Sequence, residues 1–106
     1  MKESDWKTFK IIKKRAVERF CTQALDEFQK VISNTDEHVH HRYGRLYGLV
    51  KDTDKDMAAI FDGLSRSKAW DQLFAIRARG LADEGLVAQL SEDLQQSTNP
   101  ENLRFE

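Results

Sequence analysis

The sequence predicts an all-α fold: an irregular helical bundle of five or six helices with a long N-terminal helix. Three observations point there. Ala, Leu, Lys, Glu, Gln and Arg are plentiful, while only one proline and five glycines interrupt 106 residues. Apolar residues recur at three- and four-residue intervals along most of the chain. Runs of β-branched residues in period-two alternation, the mark of a half-buried strand, are missing from the sequence. A hydrophobic content of 40% is enough for one small core. Residues 1–98 are therefore read as a single helical domain and residues 99–106 as a polar, frayed tail.

The first helix is expected over Trp6–Ile32, capped by Ser4 or Asp5. At 1.5 Å per residue it would run roughly 40 Å, against a diameter of about 33 Å for a compact chain of this length. One end should overhang. Phe9, Ile12, Ala16 and Phe20 cluster on one side of the helix, and Cys21, Leu25, Phe28 and Ile32 on a side rotated from it. Together they cover more than half the circumference, wider than one stripe facing one core. The helix is thus expected to touch two surfaces: either it sits centrally in its own bundle, or part of it packs against another chain.

Thr35 or Asp36 is expected to open a second helix with the stripe Val39, Tyr43, Leu46, Tyr47 and Val50. Asp52 and Thr53 read as a break. Asp54 and Asp56 then start a third helix carrying Met57, Ile60, Phe61 and Leu64. After Ser65 and Ser67 a fourth helix presents Ala69, Leu73 and Ile76 on one face and Trp70 with Phe74 on an adjoining one. Gly80 suits its C-terminus. A short helix over Asp83–Leu90 follows, and Ser91 caps a last turn with Leu94. From Gln95 the chain is polar and includes Asn99-Pro100, which reads as frayed.

The net charge is only −1, which gives no general drive toward nucleic acid. Residues 1–51 carry 11 basic and 7 acidic side chains; residues 52–106 carry 6 and 11. A chain polarised in this way could pair head to tail with a copy of itself, but the asymmetry is read as two ordinary solvated faces. The single cysteine, Cys21, allows no internal disulfide and fits a reduced, cytoplasmic setting. The first residues have no apolar core of a signal peptide. No stretch approaches the ~18 apolar residues of a membrane span, so no membrane partner is expected.

Several motifs could carry chemistry. His38, His40 and His41 form the sharpest cluster, with His38 and His41 at i, i+3. They fall opposite the Val39/Tyr43/Leu46 stripe and beside Arg45, where three or four converging ligands are not available. They are read as solvated, and no metal or other cofactor is expected. Asp52-Thr53-Asp54-Lys55-Asp56 begins like a calcium loop, but Met57 and Gly63 stand where a glycine and a bidentate glutamate are required. Residues 59–72 resemble a helix-turn-helix whose Arg66, Ser67 and Lys68 could touch nucleic acid, although Asp62 and Gln72 do not suit it. Gly44 and Gly48 have a spacing that permits close helix approach. Cys21 reads as a small buried hydrophobe, and no phosphate loop or nucleophile-base spacing is found.

The segments Glu18-Arg19-Phe20-Cys21, Arg42-Tyr43 with Leu46-Tyr47, and Phe61 to Ser67 resemble a set of small bacterial helical proteins of unknown function. The resemblance spans roughly residues 5–94. It implies an all-helical fold and a bacterial source, and no activity or site residue comes with it.

The function expected from these features is a non-enzymatic protein–protein interaction module that self-associates through its long first helix. Trp6, Phe9 and Ile12 are the candidate interface there, with Trp70 and Phe74 as a second exposed candidate. A DNA-binding protein using residues 59–72 and a metal protein or enzyme using the three histidines are the alternatives.

Overall fold

The computed structural model describes residues 1–103. Five α-helices follow in order: α1 (Glu3–Ser33), α2 (Val39–Phe61), α3 (Arg66–Ala78), α4 (Glu84–Val87) and α5 (Glu92–Ser97). A 3-10 turn over Pro100–Leu103 follows them. No strand occurs among the described residues. The fold is all-α, as the composition and apolar spacing predict.

The core lies at one end of α1. Phe9, Ile12 and Ala16 of α1 are fully buried, packed with Ile60 and Phe61 of α2, Ala69, Leu73 and Ile76 of α3, and Leu86 and Val87 of α4. Leu81, Ala82 and Leu90 complete the cluster. The edge of the Phe20 ring meets Phe61 with centroids 5.8 Å apart. The C-terminal half of α1 leaves this core and runs beside the N-terminal half of α2 as a projecting hairpin. The radius of gyration is 16.9 Å and the extents are 53 × 34 × 22 Å. A compact chain of this length would have a radius of gyration of about 13 Å. The overhang expected from the length of α1 is therefore present, at its C-terminal end.

The hairpin turns through residues 34–38. Arg42 donates to the Asn34 carbonyl at 3.2 Å, and Arg45 pairs with Glu37 at 2.7 Å. His38, not Thr35 or Asp36, caps α2: its Nδ1 accepts from the His40 N–H at 3.1 Å. The expected break at Asp52 and Thr53 is absent, and one helix runs from Val39 to Phe61. Asp and Thr cost only about half a kcal/mol each in a helix interior, and Thr53 turns its half-buried side chain toward α1. The helix stops where Gly63 takes φ +81°, a conformation that favours glycine.

The other end of α3 closes with Gly80 at φ +70°. The Gly80 N–H reaches the Arg77 carbonyl and the Leu81 N–H reaches that of Ile76, both at 3.0 Å. This Schellman arrangement drops the buried Leu81 into the core. Asp83 caps α4 by accepting from the Gly85 and Leu86 N–H groups. The stretch from Gln95, expected to fray, is held in place. Arg77 donates to the Gln95 carbonyl at 2.6 Å and to the Thr98 hydroxyl at 2.9 Å, and Thr98 is fully buried. Of the expected tail, residues 104–106 lie outside the described residues.

Candidate functional site

The outward face of the hairpin is apolar on both of its helices. On α1, Cys21 and Phe28 are half-buried, while Leu25 is 64% exposed and Ile32 is exposed. On α2, Tyr43 is 73% and Tyr47 65% exposed, with Val39 and Val50 exposed beside them. Between the helices lies a cleft of about 260 Å3 lined by Cys21, Leu25 and Phe28 on one wall and Val50, Asp54 and Met57 on the other. Its lining places the two rows on the same side of the hairpin. Steps of three and four residues carry the rows past the cleft toward the turn: Cys21, Leu25, Phe28, Ile32 and Val39, Tyr43, Tyr47, Val50. Large apolar side chains are thus gathered on one face of a small domain, a larger exposed apolar area than scattered single residues make.

The wheel of α1 therefore reads correctly as two-sided, but its two sides serve different ends of the helix. Phe9 and Ile12, expected at an interface, are fully buried within the chain. They are corrected to core residues, because α3 and α4 close over the N-terminal half of α1. Trp6 is half-buried and stacks on Phe9 with centroids 5.9 Å apart. The Lys10 ammonium and the Arg66 guanidinium each sit 5.4 Å from its ring centre. Trp70 and Phe74 stack at 5.7 Å with their planes 6° apart, and the Trp70 indole donates to the Ser97 hydroxyl at 3.0 Å. This pair pins α5 onto α3, although Trp70 stays 41% exposed.

The helix-turn-helix residues have duties inside the chain. Arg66 forms an ion pair with Glu3, and the bonded guanidinium holds the Glu3 carboxyl below its usual range. Gln72, buried, donates from Nε2 to the Asp62 and Gly63 carbonyls at 2.9 and 3.0 Å, which clamps the turn. Lys13 crosses from α1 to the same Gly63 carbonyl at 2.5 Å, and its burial lowers its pKa. Ser67 hydrogen-bonds Ser65 at 3.1 Å, and the Lys68 chain lies against Gly63. The turn is thus a packing corner, with Arg66 the most committed of its cations.

His38 and His41 lie with ring centres 6.3 Å apart, edge to face, and all three histidines are exposed. His40 does not fall opposite the stripe as expected: it stands one turn before Tyr43 on the same exposed face of α2. Among the described residues no three His, Cys, Asp or Glu side chains come together as metal ligands. A second, polar cleft is lined by Arg15, Arg19, Thr22 and Asp83. Arg15, Arg19 and Asp83 pair across α1 and the loop before α4. Arg15 meets Asp83 at 2.6 Å and lowers the pKa of that carboxyl, while Arg19 donates to the Ala82 carbonyl at 2.9 Å. Among the described residues no helix is long and apolar enough to cross a membrane.

No family model, curated protein or solved structure matches this chain. The site stands on its geometry.

The sequence groups Tyr43, Tyr47 and Val50 with Leu46 as one stripe, whereas these three are exposed and Leu46 is half-buried. A signal was present. Two tyrosines at i, i+4 carry both an apolar ring and a polar tip, the chemistry of a surface that is covered only part of the time.

Proposed function

We propose that this chain is a non-enzymatic interaction module that self-associates through the apolar side of its projecting hairpin. One observation carries the reading. Leu25 and Ile32 on α1 and Tyr43, Tyr47 and Val50 on α2 are exposed around the half-buried Phe28, and together they form a face left open by the described residues. Packing two such hairpins face to face buries both rows as the interior of a four-helix bundle. A face about 20 Å wide and 24 Å long offers on the order of 500 Å2 per copy, from the spacing and rise of helices. Two copies would bury about 1,000 Å2, the lower end for a specific interface. The assembly is then concentration-dependent.

Light scattering on single variants tests this placement. Leu25→Glu and Tyr47→Glu each place a charge in the covered face and should abolish association while leaving the helical signal intact. Ile11→Glu, at an exposed apolar position outside the two rows, should leave the mass unchanged. Association that survives both face variants would place the interface elsewhere.

A further inference from the structure

The outward row of α2 reads His40, Tyr43, Tyr47, Val50, Asp54, at intervals of three, four, three and four residues. All five side chains are exposed. A spacing that averages 3.5 residues is the seam along which two helices lie side by side. The middle of this seam is apolar and its two ends are polar with different chemistry. His40 lies one turn from the hairpin tip and presents an imidazole N–H. Asp54 lies at the base, on the wall of the cleft, and makes no ion pair among the described residues. A row with a donor at one end and a carboxylate at the other complements itself when it is reversed.

We propose that a second copy lies antiparallel on this face, α2 against α2 about a two-fold axis near Tyr47. The inference rests on the self-association reading above and adds its direction. In this arrangement Asp54 of each copy meets the turn that carries the partner's His40 and the partner's Tyr43. An imidazole N–H and a phenol O–H there can each donate to the carboxylate in a seam shielded from water. The parallel alternative sets each Asp54 against the partner's Asp54, two like charges in the same shielded place. The antiparallel pairing also suits α1. Its row Cys21, Leu25, Phe28, Ile32 runs alongside and opposes the partner's same row in reverse, so both apolar rows are covered by one two-fold operation. A partner of different sequence would not need this internal symmetry of ends.

The experiment is a charge exchange, read by sedimentation equilibrium on the full chain, with circular dichroism to check folding. Asp54→Lys brings a lysine against the partner's His40 turn and should weaken association by about tenfold. His40→Asp brings two aspartates together and should weaken it by a similar factor. The double variant restores opposite charges across the antiparallel seam, and its association should return to within about threefold of the parent protein. A double variant as weak as the product of the singles would overturn the antiparallel register, because in a parallel pair the exchange leaves like facing like. If none of the three changes alters association while Tyr47→Glu still abolishes it, the face is right and this seam is wrong. If the parent protein shows no association at all, the self-association reading itself fails.

Discussion

Asp5 sits in the first turn of α1, yet its side chain is only 4% exposed. Its Oδ1 accepts from the Ser91 backbone N–H at 2.8 Å and its Oδ2 from the Ser91 hydroxyl at 2.6 Å. A residue that local rules read as a helix cap instead ties the two ends of the chain together. Capping is a property of neighbouring residues and is visible in sequence; a partner 86 positions away is not. Asp5→Ala leaves a backbone donor and a hydroxyl unpaired beside the core, and should cost about 2–3 kcal/mol in chemical denaturation. Gln72 has the same history. Its amide looked wrong for a docked helix, and its use became clear only once the Asp62 and Gly63 carbonyls stood next to it. Two carboxyls also set a pH dependence. Arg66 lowers the pKa of Glu3, and Arg15 lowers that of Asp83. Groups with a depressed folded pKa contribute stability above the unfolded value of about 4 and lose it as pH falls through the folded value. Thermal midpoints should therefore be flat near neutrality and decline below about pH 4. Both pairs are solvent-exposed, so Glu3→Gln should flatten that decline only slightly.

The helices themselves were readable where apolar spacing was regular. Phe9, Ile12 and Ala16 announce the buried side of α1, and Ala69, Leu73 and Ile76 that of α3. The sequence misleads at Asp52 and Thr53, where weak helix formers lie inside α2: their local cost is small, and Thr53 is half-buried against α1. Gly44 and Gly48 are a related case. No heavy atom lies within 4 Å of a Cβ added at either, so no neighbour in the chain approaches them closely. Gly44→Ala and Gly48→Ala should each stabilise α2 by about 0.5–1 kcal/mol, measurable in denaturant midpoints. Gly48 lies about a quarter-turn or more from the His40/Tyr43/Tyr47 row at 100° per residue, so association should not change in Gly48→Ala. Cys21 offers an independent readout of the face. It is half-buried in the cleft and should react with a small alkylating reagent in dilute protein. Reaction should slow several-fold at concentrations where copies pair. An alkylation rate that ignores concentration would count against coverage of this wall.

At the scale of the whole molecule, the length of α1 against the size of its core is what shapes the protein. A helix of 31 residues cannot be enclosed by the short helices α3 to α5, so half of it projects, and α2 follows it back. That an end would overhang could be read from length alone, as could the two-sidedness of α1. Which end projects could not, because both halves carry phenylalanines and isoleucines in similar number. It was settled by α3 and α4 folding onto the N-terminal half, a contact between elements that share no local sequence signal. Removing residues 1–14 would consequently take Phe9 and Ile12 out of the core and unfold the domain, leaving the hairpin face untested. Substitution on the hairpin is the informative change.

The central claim is that an apolar hairpin face pairs with its own copy. Sedimentation equilibrium of the unmodified chain across a hundredfold range of concentration tests it most directly. The weight-average mass should rise with concentration from that of one chain to that of two, as pairing through about 1,000 Å2 of buried surface requires. A mass fixed at one chain up to millimolar concentration would contradict self-association.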